Sequence, residues 1–140
     1  MDLRRGAAAL EGTSPTLSEL VRLCAQVDVE VHIARLPSDR LGAYDHRRRR
    51  ILLARGLTPV EQRSVLAHEL GHALFMHVDE SAAAERAAER FAARVLIDPD
   101  ALATACAWTH DDGELADELG VTVDIVRTYR ELVTGDRLAA

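Results

Sequence analysis

Lysine is absent from these 140 residues, and all 17 basic residues are arginine. With alanine abundant as well, this has the look of a bias spread over a whole genome, so arginine content by itself carries no functional meaning. Acidic residues outnumber basic ones, 23 to 17, for a net charge of −6. A general nucleic-acid binder neutralises phosphates with clustered positive charge, and this balance argues against one while leaving room for a small basic patch. No apolar run approaches the roughly 20 residues of a membrane-spanning helix. The opening MDLRRGAAALEGTSP also lacks the apolar stretch of a signal peptide. No membrane partner is expected, and the expected location is the cytoplasm. Cysteine is scarce: Cys24 and Cys106 stand far apart with no CxxC pair, which excludes a disulfide framework and makes redox chemistry unexpected. Internal repeats and low-complexity linkers are absent too.

What is present is a soluble globular balance, 48% hydrophobic and 29% charged, in a length that suits one domain with a real core. Residues 1–15 mix Gly, Ala, Ser, Thr and Pro without periodicity and read as a flexible lead-in to a single domain over residues 16–140. Leu17, Leu20, Val21, Cys24 and Val27 recur at helical spacing. Val29, Val31 and Ile33 then alternate with Glu30, His32 and Ala34, the period of a half-buried strand. LGAYDHRRRRILLARG follows as strand, polar turn and strand, and a small antiparallel sheet is expected. The fold class is therefore α+β with a helical C-terminal half. The RRRR turn reads more readily as a solvated hairpin tip than as a nucleic-acid patch.

The next helix announces its start. Thr58 is placed to cap it, Pro59 takes the first helical position, and Glu61 completes a capping box, so one helix is expected from Val60 to about Met76. Within it lies HELGH. His68 and His72 are four apart and share a face, where two imidazoles can bind one Zn²⁺, and Glu69 is placed to handle the proton of an attacking water. Val65, Leu66, Leu70, Ala73 and Leu74 surround the pair, and histidines on a largely buried helix need partners. Gly71 is out of place in a helix interior unless something approaches the backbone closely there. A catalytic zinc site needs a third protein ligand. Glu85 and Glu89, four apart on the following helix, both qualify by charge and reach, and spacing does not choose between them. His77 falls off the metal-binding face and reads as an ordinary exposed histidine or one standing behind the ligands. His32 receives no role.

HELGHALFMH followed by ERAAERFAARVLIDP resembles the ImmA/IrrE family of metallopeptidases, whose second motif is E-x-x-A-N-x-F-A. The likeness runs from about Leu17 to Leu132. Ala88, Phe91 and Ala92 match, while Glu89 stands where the family usually carries asparagine. The resemblance implies a zincin-like, gluzincin-type fold and an intracellular endopeptidase. It also implies one Zn²⁺, or Mn²⁺ in its place, held by His68, His72 and Glu85, with Glu69 as the catalytic base. Glu89 is then the alternative third ligand. A protein substrate is implied, a helix-turn-helix repressor being one candidate because family members commonly cleave such repressors, and this would connect the chain to gene regulation. An oxyanion or proton donor is also needed. Tyr44, His46 and His110 qualify by side-chain chemistry alone.

Near the C-terminus, residues 112–132 have the layout of a helix-turn-helix, with Gly120 at the turn. Arg127 and Arg130 are offset there by Asp124 and Glu131, so packing against the core is the expectation ahead of DNA reading. The competing function is a DNA- or protein-binding regulator that uses this helix pair and has a structural or idle metal site. Glu69 discriminates, since a structural site needs ligands but no base.

Overall fold

Thr58 accepts the Glu61 N–H at 3.2 Å while the Glu61 carboxylate accepts the Thr58 N–H at 3.0 Å, and helix α3 (Pro59–Leu74) starts from this reciprocal cap. The computed structural model describes residues 3–139. Before α3 come α1 (Leu3–Ala9), α2 (Leu17–Gln26), β1 (Glu30–Ala34), β2 (Gly42–Asp45) and β3 (Arg50–Ala54). After it follow α4 (Ala82–Leu96), α5 (Pro99–Cys106), α6 (Asp112–Leu119) and α7 (Val123–Ala139). From Ser64 onward α3 is enclosed on nearly every side, because α2 and the sheet cover one flank and α4 the other. Leu66, Ala67, Leu70 and Ala73 on it are sealed from solvent. Among the described residues no helix is long and apolar enough to cross a membrane.

The sheet corrects one expectation. It is mixed rather than antiparallel, in the order β1-β3-β2: β2 and β3 form the expected hairpin, but β1 pairs with β3 in parallel. The most apolar strand takes the centre. Ile51 and Leu53 of β3 are fully covered, whereas β1 buries no residue and Ile33 is 54% exposed, as suits an edge. The segment 35–41 between Ala34 and Gly42 is long enough to step past the place that β3 fills.

Most of the lead-in falls within the described part. Residues 1 and 2 lie outside it, but residues 3–9 form α1, and the amides of Gly12 and Ser14 donate to the carbonyls of Arg94 and Val95 at 2.7 and 2.9 Å. Those carbonyls belong to the last turn of α4, where no helical donor remains to satisfy them. Arg63 ties the same segment to the link between α6 and α7. Its guanidinium donates to Pro15 O, Ser14 Oγ and Gly120 O, all within 2.9 Å.

Helices α3 and α4 meet at Gly71. A Cβ there would lie 2.9 Å from the Phe91 ring and 3.2 Å from the Ala88 Cα, so the two backbones touch only because the side chain is missing. Gly71→Ala is therefore expected to lower stability by about 1–3 kcal/mol through overpacking, although alanine is the better helix former. Gly135→Ala in α7, where an added Cβ meets nothing within 4 Å, should instead stabilise by about 0.5–1 kcal/mol. Urea denaturation of the two variants checks the opposite signs.

Candidate metal centre

The Gly71 contact sets a stripe of α3 against a stripe of α4. His68 and His72 lie four apart on the first, Glu85 and Glu89 four apart on the second, so each pair faces the other. The Glu85 carboxylate enters between the imidazoles: Oε2 is 3.0 Å from His68 Nε2 and Oε1 is 3.0 Å from His72 Nε2. His68, His72 and Glu85 each offer a ligand atom, and these atoms lie within 4.8 Å of one another. Two imidazoles and a carboxylate are the donors a catalytic zinc site uses, and His72 is only 4% exposed. The donor set fits a divalent metal ion.

Behind this cluster the other ring nitrogens are engaged. His68 Nδ1 is 2.6 Å from Glu89 Oε2, and His72 Nδ1 is 2.9 Å from His77 Nδ1. Glu89 thus meets His68 on the nitrogen facing away from Glu85. Glu69, 6% exposed, lies beside the cluster but outside the converging donors. Strand β2 crosses directly over it, and a Cβ at Gly42 would stand 3.2 Å from Glu69 Oε1 and 2.5 Å from Val65 Cγ1.

Two clefts open at this point. One, about 350 Å³, is bordered by Leu41 and Gly42, by His68 and Glu69, and by Thr122 and Asp124 at the start of α7. The other, about 230 Å³, is bordered by Tyr44, Glu69, His72, His77 and Val78. Arg40, Glu80 and Glu85 belong to both, and Arg40 forms an ion pair with Glu80.

The family model Peptidase_M78, described as the IrrE N-terminal-like domain, matches residues 24–128, which is 105 of the 140. The chain belongs to this peptidase family. A search of curated proteins gives no match. The matched span of this IrrE-like peptidase domain contains the strands, both site helices and the start of α7.

The structure brings His68, Glu69, His72, Glu85 and Glu89 together and separates the three candidate proton donors. Tyr44 lines the smaller cleft with Glu69 and His72. His46 Nδ1 lies 2.8 Å from the Tyr44 hydroxyl, and His110 is exposed on the α5–α6 link outside both clefts. In the helix-turn-helix-like pair, Arg127 and Arg130 both turn to Asp112, at 3.3 and 2.9 Å, and the first turn of α7 walls the larger cleft. The arginine turn is likewise engaged: Arg48 and Arg50 pair with Asp45, and Arg49 donates to Tyr44 and to Val27 O. Arg40, Glu80 and the His77 contact carried no signal in the sequence, because each depends on loops that meet only in the folded chain.

Charge crowding perturbs the titrating groups. Burial pulls the His68 imidazole down, but the Glu89 hydrogen bond and the charges of Glu69, Glu89 and Glu85 outweigh it and raise its pKa to about 9. Burial pushes Glu69 up to about 7, opposed by His68. His72 is lowered, first by burial and then by the positive His68. Both raised groups hold their protons more tightly folded than unfolded. In the metal-free protein the His68 contribution is complete below its ordinary 6.5 and disappears as pH rises through about 9. Glu69 acts with the same sign between its ordinary 4.5 and about 7. The melting temperature of the metal-free protein is therefore expected to fall as pH rises from 6.5 to 9, and calorimetry at stepped pH checks it. A flat profile in that window would rule out a charged His68.

Proposed function

We propose that the chain is a zincin-like metalloendopeptidase in which His68, His72 and Glu85 hold one zinc ion and Glu69 is the general base. The observation that carries this is the position of Glu69: buried beside three converging donors, open to both clefts, and not one of the donors. Zinc held there supplies Lewis acidity to a water and to the scissile carbonyl. Glu69 takes the proton of the attacking water and passes it to the leaving amine, and a carboxyl raised toward neutrality suits both tasks. Glu89 is assigned to orient His68 rather than to serve as third ligand, since it sits on the opposite ring nitrogen. Tyr44 is assigned as the donor that steadies the developing oxyanion. The free edge of β2, with Leu41 and Gly42 on the larger cleft, offers main-chain groups to an extended peptide. A repressor substrate is consistent with this assignment and rests on family analogy.

Metal content and cleavage test the proposal together. The purified wild type should carry about one zinc per chain, lost in His68→Ala and Glu85→Gln but kept in Glu69→Gln. In a proteome extract with labelled N-termini, the wild type should create new termini that zinc-loaded Glu69→Gln produces at least ~10²-fold more slowly. Equal cleavage by Glu69→Gln would overturn the role of the base.

A further inference from the structure

Beyond Leu74 the chain makes a tight reversal that serves one side chain. The Met76 N–H donates to Ala73 O at 3.2 Å and the His77 N–H reaches back to His72 O at 2.9 Å. This is the paired hydrogen bonding of a Schellman cap, and its left-handed position is held by Met76 at φ +56°. Glycine is the usual residue there, because a Cβ disfavours that backbone conformation. In such a cap the two residues that close the reversal touch one another, as a rule through apolar side chains. Here those residues are His72 and His77, and their contact is a hydrogen bond between two Nδ1 atoms with ring centroids 5.1 Å apart. Phe75 also lies against His77, 5.6 Å centroid to centroid.

Two facing Nδ1 atoms share one hydrogen. When it lies on His72, the His72 Nε2 lone pair is free and faces Glu85, which is the form able to ligate a metal. When it lies on His77, His72 must carry its hydrogen on Nε2 and cannot ligate. We infer that His77 is a positioning residue: it accepts the His72 Nδ1–H and thereby holds His72 in the ligating tautomer and ring orientation. The inference rests on the proposed zinc site. It assigns the two ligand histidines unlike supports, the Glu89 carboxylate behind His68 and a second imidazole behind His72.

Zinc affinity, read by competition with a chromophoric chelator, tests the inference on His77→Phe, His77→Asn and His72→Ala, with cobalt absorption spectra and metal-free melting as companion measurements. His77→Phe keeps a ring but no acceptor and should weaken zinc binding about 10- to 100-fold and alter the cobalt spectrum. His77→Asn places an amide oxygen near the lost Nδ1 and should recover most of the affinity. Wild-type affinity in His77→Phe overturns the inference, and so does equal weakening in both variants accompanied by lowered metal-free melting, which would mark a packing role. A wild type that binds no zinc, or His72→Ala with undiminished affinity, removes the zinc site itself. Those two outcomes separate failure of the site from failure of its support.

Discussion

Backbone contact between α3 and α4 at Gly71 and Ala88 is the constraint on which the rest depends. Helices whose facing residues carry ordinary side chains keep their axes about 8–10 Å apart. Contact at Gly71 and Ala88 instead brings the backbones together and fixes which faces of α3 and α4 meet, and so which imidazoles face which carboxylates. The missing side chain at Gly71, with the Phe91 ring laid against the gap, permits it. Small residues on both sides, Ala67 and Ala73 on α3 and Ala84, Ala88 and Ala92 on α4, are all buried. The alanine richness of the sequence thus has a local use, whatever its origin.

That approach concentrates charge. Glu69, Glu85 and Glu89 gather around two imidazoles, with Glu80 nearby and Arg40 the cation common to both clefts. Carboxylates this close raise each other's proton affinity, and a histidine among them becomes a cation. The raised His68 is an expression of this crowding, whereas Glu69 is raised first by its burial. A divalent ion would relieve it by taking the place of the His68 proton, so the cluster that burdens the metal-free protein is also the one suited to bind metal. Arg63, with three hydrogen bonds to carbonyl and hydroxyl oxygens, anchors the end of α3 remote from this charge.

Much of this was legible in the residues alone. Capping chemistry is local, so Thr58, Pro59 and Glu61 announced α3 within one residue of its start. A helix carrying Glu85 and Glu89 and a helix pair over residues 112–132 were also expected, although α7 runs on to Ala139. The four-residue spacings of His68 with His72 and of Glu85 with Glu89 assigned each pair to one face, because helical geometry leaves no alternative. Gly71 signalled a close approach for the same kind of reason.

Sequence by itself therefore determined what depends on near neighbours: the helices, their caps, the faces that carry donors, and the family to which the chain belongs. Tertiary structure alone decided what depends on how distant segments meet. The place of β1 beside β3 was hidden because parallel pairing is set by competition for the buried centre of the sheet, which no strand encodes alone. Glu85 and Glu89 were equivalent in spacing until the crossing of α3 and α4 put one on the inner nitrogens of both imidazoles and the other behind His68. A helix continued through Met76 would carry His77 off the metal face. The chain reverses at Met76 instead, and a left-handed residue returns the ring to His72, a position no helical spacing describes.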